Sequence, residues 1–94
     1  MTERQRRYFL VAGRVQGVGF RYFTRATACE LGLGGFVRNR PDGLVEIEVE
    51  GEVVAMGEFE KAVRKGPPGA RVETFTTEPR PLAASSPREF TIAV

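Results

Sequence analysis

The stretch Gly13-Arg14-Val15-Gln16-Gly17-Val18-Gly19-Phe20-Arg21 joins an apolar run, Tyr8-Phe9-Leu10-Val11-Ala12, to residues 21–31, which hold neither glycine nor proline. The run is apolar on both faces, with Tyr8, Leu10 and Ala12 on one side and Phe9 and Val11 on the other. That is the pattern of a strand buried at the centre of a sheet. Residues 21–31 read as a helix with Phe20, Phe23, Thr27 and Leu31 on one side, stopped by Gly32. A glycine-rich connector between strand and helix leaves backbone N–H groups without partners. Together with the positive end of the helix dipole they form an anion site. Arg21, in the first helical turn, adds a planar and permanently charged guanidinium. The combination suits a cluster of phosphate oxygens.

Outward from this connector, residues 35–39 and 44–50 read as two strands. Arg40-Pro41-Asp42-Gly43 between them is a turn: proline presets φ and glycine accepts the left-handed position, so the pair is a hairpin. In the second strand Val45, Ile47 and Val49 point inward and Glu46, Glu48 and Glu50 outward, which predicts a sheet with one wet face. Gly51 begins the next unit, a helix with Ala55, Met56, Phe59, Ala62 and Val63 along one stripe. Gly57 lies within it and weakens it relative to alanine. Gly66-Pro67-Pro68-Gly69 ends that helix. Residues 72–77 read as a fourth strand and residues 78–88, with Pro79, Pro81 and Pro87, as an exposed loop. Phe90, Ile92 and Val94 alternate in a last strand. The order strand, helix, strand, strand, helix, strand is the ferredoxin-like βαββαβ pattern. The expected fold is an α+β sandwich, with two helices on one face of a four- to five-stranded antiparallel sheet, and residues 1–94 as one domain.

Composition narrows the chemistry. The chain has 94 residues, 41% of them hydrophobic, and a net charge of +2, which fits one small globular core. The mild positive charge suits a small anion and is too weak to argue for nucleic acid. Cys29 is the only cysteine, so no internal disulfide forms, and a reducing, cytoplasmic location is expected. No apolar run is long enough to cross a bilayer. Histidine is absent, which excludes a histidine base and histidine metal ligands. With a single cysteine as well, no metal site and no cofactor are expected.

Two familiar phosphate motifs fail. The P-loop needs a second glycine five residues after the first, and Gly13 leads to Val18, Gly17 to Tyr22. The dinucleotide fingerprint needs a third glycine where Tyr22 stands. The chain instead resembles the acylphosphatase family. The resemblance rests on the 13–21 block and on Gly35-Phe36-Val37-Arg38-Asn39 followed by Asp42-Gly43 and Val45-Glu46. Phe36 departs from the tryptophan common in that family, and the proline-rich 78–88 stretch departs as well. The resemblance implies metal-free hydrolysis of an acyl phosphate to a carboxylate and inorganic phosphate. It implies Arg21 and Asn39 as the catalytic pair, and Val15, Gln16, Gly17, Val18, Gly19 and Phe20 as the phosphate cradle.

The implied chemistry is consistent with the residues. An acyl phosphate is a mixed anhydride with a good leaving group, so the demand is to hold a dianion and place a water in line. Arg21 can grip two oxygens, and the carboxamide of Asn39 can orient a water without deprotonating it. Arg14, Arg25, Arg38 and Arg40 read as surface charge, with Arg38 or Arg40 able to steer anions. Cys29 reads as structural, Asp42 as a turn residue, and Phe20 and Phe23 as core. The competing reading is a non-catalytic anion- or RNA-binding ferredoxin-like module, since that fold also hosts RNA binders. A unit handling carbamoyl phosphate within a larger protein is a third. The outward glutamates repel a phosphate backbone, so no nucleic acid partner is expected, and with no long apolar run no membrane partner is expected either. The expectation is a monomer acting on a small acyl phosphate.

Overall fold

The computed structural model of the chain describes residues 3–85 and 87–93. Its elements are β1 (Arg4–Arg14), α1 (Phe20–Glu30), β2 (Gly34–Asn39), β3 (Val45–Glu52), α2 (Val53–Lys65), β4 (Arg71–Arg80) and β5 (Phe90–Ile92). The strands form one sheet in the order β4-β1-β3-β2-β5. β1, apolar on both faces, is an interior strand, antiparallel to both β3 and β4. The helices cover the face that carries Phe9, Val11, Val37, Val45, Ile47, Val49 and Phe90, all buried. Aromatic contacts run through this layer: Phe9 to Phe59 at 5.9 Å, Phe9 to Phe75 at 5.4 Å and Phe59 to Phe90 at 6.1 Å between ring centroids.

The ferredoxin-like α+β sandwich is borne out, with differences that have physical causes. The sheet is mixed, because β5 runs parallel to β2. β4 ends beside Arg6, at the end of the sheet where β2 begins. The 81–89 connection crosses at that end, and β5 must then run in the direction of β2. The fourth strand also extends to Arg80, through Pro79. β4 is an edge strand, where a missing N–H can face solvent. The inward stripe of α1 is Phe20, Thr24 and Ala28, with Phe23 and Leu31 flanking it rather than centring it. The Thr24 hydroxyl is satisfied in the core by donating to the Phe20 carbonyl at 2.8 Å. Helix α1 closes in a Schellman motif, in which the Gly32 and Leu33 N–H groups donate to the Cys29 and Ala28 carbonyls. Gly51, expected to open a new unit, lies inside β3. Val94 lies outside the described residues.

The glutamate face is not wet. Glu46 and Glu50 are buried, Glu50 completely. Arg6 reaches across from β1 to Glu48 at 3.2 Å and Glu50 at 3.1 Å, and the Ala83 N–H donates to Glu50 at 3.0 Å. Arg38 pairs with Glu46, and the Tyr8 hydroxyl donates to Glu46 at 2.7 Å. Alternation identifies the face, but the long arginines of neighbouring strands cover it. Burial pushes the Tyr8 phenol up from its ordinary range, the bond to Glu46 adds to this, and Arg40 opposes it.

Two stability predictions follow from this packing. Gly57 is exposed within α2, and a Cβ there would meet no atom within 4 Å. Gly57→Ala should therefore raise unfolding free energy by about 0.5–1 kcal/mol in urea titration. A phenol whose folded pKa is raised stabilises the fold below its unfolded value and loses that contribution as pH rises through the folded one. Tyr8→Phe should cost about 1 kcal/mol near neutrality. It should also lose less stability than the parent between about pH 9 and 11, followed by denaturation at each pH.

Candidate active site

The chain leaves β1 through a bulge, where the register shifts between Ala12 and Gly13. Gly13 has φ +127°, and a Cβ there would run into the Arg71 carbonyl oxygen of β4. Such a bulge bends its strand. Val15 and Phe20, both buried, pin the two ends of the following loop. Between them Gly17 and Gly19 take φ +75° and +79°, flanking Val18, whose φ is negative. Alternation of this kind turns successive N–H groups toward one side, forming a concave anion nest. The first backbone bond of the helix is Phe23 N–H to the Gly19 carbonyl, at 3.0 Å. Among the described residues no acceptor engages the N–H groups of residues 16–22.

Electrostatics reinforce the geometry. Helix α1 has no side-chain cap and no acidic residue in its first turn, so neither offsets the positive end of its dipole. Arg21 stands in that turn, half-buried, and forms no ion pair among the described residues. Arg14, Arg25, Arg71 and Arg88 likewise form no ion pair among the described residues, but none of them lies in the first turn of α1. Arg38 and Arg40, expected as free surface charge that could steer anions, are half-buried and pair with Glu46 and Asp42. Asp42 is a turn residue, as expected. Its carboxyl is held below the usual range first by the Leu44 N–H and then by Arg40. Cys29, expected as structural, is exposed and contributes nothing to the core.

Asn39 is the last residue of β2. It pairs with Val45, which pairs in turn with Val11 of β1. This row across three strands lies at the end of the sheet where β1 passes into the loop. The Asn39 Oδ1 atom is buried and accepts no hydrogen bond among the described residues, so its acceptor capacity is open. The loop and this strand end are tied together directly. Gln16 Nε2 donates to the Arg40 and Leu44 carbonyls, both at 2.9 Å. Of the six cradle residues, Val15 and Phe20 turn their side chains into the core, Val18 packs against it, and Gln16 faces the turn. What these residues leave open to a ligand is therefore their backbone N–H groups. The orientation of the Gln16 side chain was not readable from its spacing. Among the described residues no group of three or more His, Cys, Asp or Glu side chains is placed to hold a metal ion. No helix among them is long and apolar enough to cross a membrane.

A ferredoxin-like sandwich whose N–H groups of residues 16–22 and Arg21 guanidinium have no partner among the described residues, at the sheet end that carries Asn39, has the features expected of a small anion-binding domain. Comparison with known proteins makes this specific. The acylphosphatase family model matches residues 7–92. An acylphosphatase of Archaeoglobus fulgidus is 56% identical over 62 residues, spanning 66% of this chain and 70% of that protein. The crystal structure of acylphosphatase from Bacillus subtilis superposes with a TM-score of 0.89 at 39% identity, covering 95% of this chain and 98% of that one. The crystal structure of full-length HypF in the phosphate- and nucleotide-bound form matches all of this chain with 12% of its own, at a TM-score of 0.88 and 30% identity. The chain belongs to the acylphosphatase family.

If the nest binds phosphate, the anion should stabilise the fold by mass action. Inorganic phosphate should raise the melting temperature in a saturable way, beyond the effect of chloride at equal ionic strength. A side chain at Gly19 has room but the wrong φ. Gly19→Ala should cost about 1–2 kcal/mol of stability and abolish the phosphate-induced shift, both readable by scanning calorimetry.

Proposed function

We propose that this acylphosphatase holds the phosphate of its substrate on the N–H groups of Val15, Gln16, Gly17, Val18, Gly19 and Phe20 and on the Arg21 guanidinium, while Asn39 orients the attacking water. The observation that carries the reading is the N–H array of residues 16–22 beside Arg21, neither of which has a partner among the described residues, at the sheet end that holds Asn39. Fixed donors of this kind favour a transition state whose charge spreads over three equatorial oxygens. Arg21 can grip two of them in a fork. Water attacks phosphorus, the P–O bond to the acyl group breaks, and the electron pair leaves on a carboxylate. Asn39 accepts from the water through Oδ1 and cannot take its proton. The proton passes to the phosphate product, which needs no general base.

Residues 1–94 read as one domain, acting as a monomer in the cytoplasm. The single sheet that gathers every strand supports the first part. The exposed large apolar residues, Tyr22, Val53, Val54 and Leu82, include only one adjacent pair. A chain with one cysteine fits a reducing compartment. The RNA-binding reading has less support. On the open sheet face Arg6, Arg38 and Arg40 are spent on glutamates and Asp42, and the Tyr8 ring lies under the Arg80 guanidinium at 4.6 Å.

The test is hydrolysis of benzoyl phosphate in EDTA, followed by loss of absorbance. The parent should turn over. Arg21→Ala should raise KM and lower kcat, whereas Asn39→Ala should lower kcat by about 100-fold or more with phosphate affinity retained. A folded parent without turnover, or a kcat governed by an enzyme carboxylate in its pH profile, would contradict the reading.

A further inference from the structure

The phosphate nest and the water-orienting carboxamide sit on different segments, with residues 21–38 of the chain between Phe20 and Asn39. In-line attack requires a fixed distance between them, and a misplacement of about 1 Å can cost about 100-fold in rate. Something must therefore hold the loop to the end of β2.

We propose that Gln16 is that positioning residue, a strut that locks the phosphate loop onto the β2–β3 turn and so sets Asn39 relative to the bound phosphate. This rests on the mechanism proposed above. Both Nε2 protons are used, one on the Arg40 carbonyl and one on the Leu44 carbonyl, each at 2.9 Å. These two carbonyls are the acceptors at the base of the turn. The Arg40 oxygen also takes the Gly43 N–H at 3.1 Å, and the Leu44 oxygen takes the Arg40 N–H at 2.8 Å. The glutamine thus adds a third rung to the hairpin end, immediately after Asn39. No other hydrogen bond among the described residues links loop 15–19 to turn 40–44. The chemistry is selective. Two facing carbonyls accept from a primary amide, whereas a carboxylate there would meet two acceptors with no proton to give. Gln16 needs no contact with the phosphate through its side chain, because its side-chain N–H groups are already engaged.

The test is a double-mutant cycle on turnover of benzoyl phosphate, with inorganic phosphate affinity measured alongside. Gln16→Ala should lower kcat by about tenfold or more and leave the phosphate dissociation constant within about threefold. In an Asn39→Ala background the same change should cost less than about twofold, because there is no longer an oriented water to misalign. A residue that only stabilises the fold would cost the same factor in both backgrounds, and that result overturns the proposal. So does an unchanged kcat, or a loss confined to phosphate affinity. If Asn39→Ala alone keeps full kcat, the water-orienting mechanism falls and this proposal with it, whereas additive losses remove the strut alone. Should Gln16→Ala not fold, Gln16→Glu decides. Its kcat relative to the parent should fall by about tenfold as the carboxyl ionises between about pH 5 and 8, and a profile that tracks the parent would refute the strut.

Discussion

β1 is paired on both edges, and that constraint organises the molecule. A chain leaving an interior strand emerges at the middle of the sheet end, beside the ends of the neighbouring strands. Val11 of β1, Val45 of β3 and Asn39 of β2 lie in one row there. The connector into α1 must begin at this point and rise to the helix layer, with Val15 and Phe20 buried at its two ends. Gly17 and Gly19 take left-handed φ values, and the N–H groups of residues 16–22 have no acceptor among the described residues. The proposed anion nest thus follows from strand order, bulge and two glycines, and Asn39, its proposed partner, arrives at the same sheet end through the strand register.

Charge is distributed to the same end. On the open face of the sheet, arginines from β1, β2 and the hairpin turn are matched to glutamates of β3 and to Asp42. Buried and partly buried pairs of this sort persist because removing one partner strands the other. The effect on function is subtractive. Arg6, Arg38 and Arg40 are committed, whereas the half-buried Arg21 of the first helical turn and the backbone donors beside it have no partner among the described residues.

Much of this was legible in the sequence because it is local. The glycine loop, the helix after it, the Arg40-Pro41-Asp42-Gly43 hairpin and the α2 stripe each depend on residues within one or two turns of each other. The resemblance to acylphosphatases then supplied what spacing could not, the proposal that Arg21 and Asn39 act together. What escaped is non-local. Alternation marked Glu46, Glu48 and Glu50 as one face, but that Arg6 and residue 83 bury Glu50 depends on neighbours more than thirty positions away. The direction of β5 depends on which end of the sheet the 81–89 connection crosses. Pro79 argued for a loop, and its edge position makes it tolerable in β4. The Gln16 side chain could have faced ligand or protein, and only the hairpin's two carbonyls decide the matter.

The most direct test of the nest is an amide-resolved NMR titration with inorganic phosphate. The account predicts that the largest shifts fall on the backbone N–H groups of residues 16–22 and on the Asn39 side chain, all saturating at one dissociation constant. Shifts gathered elsewhere, on the Arg38 and Arg40 region or the open sheet face, with residues 16–22 unmoved, would contradict it.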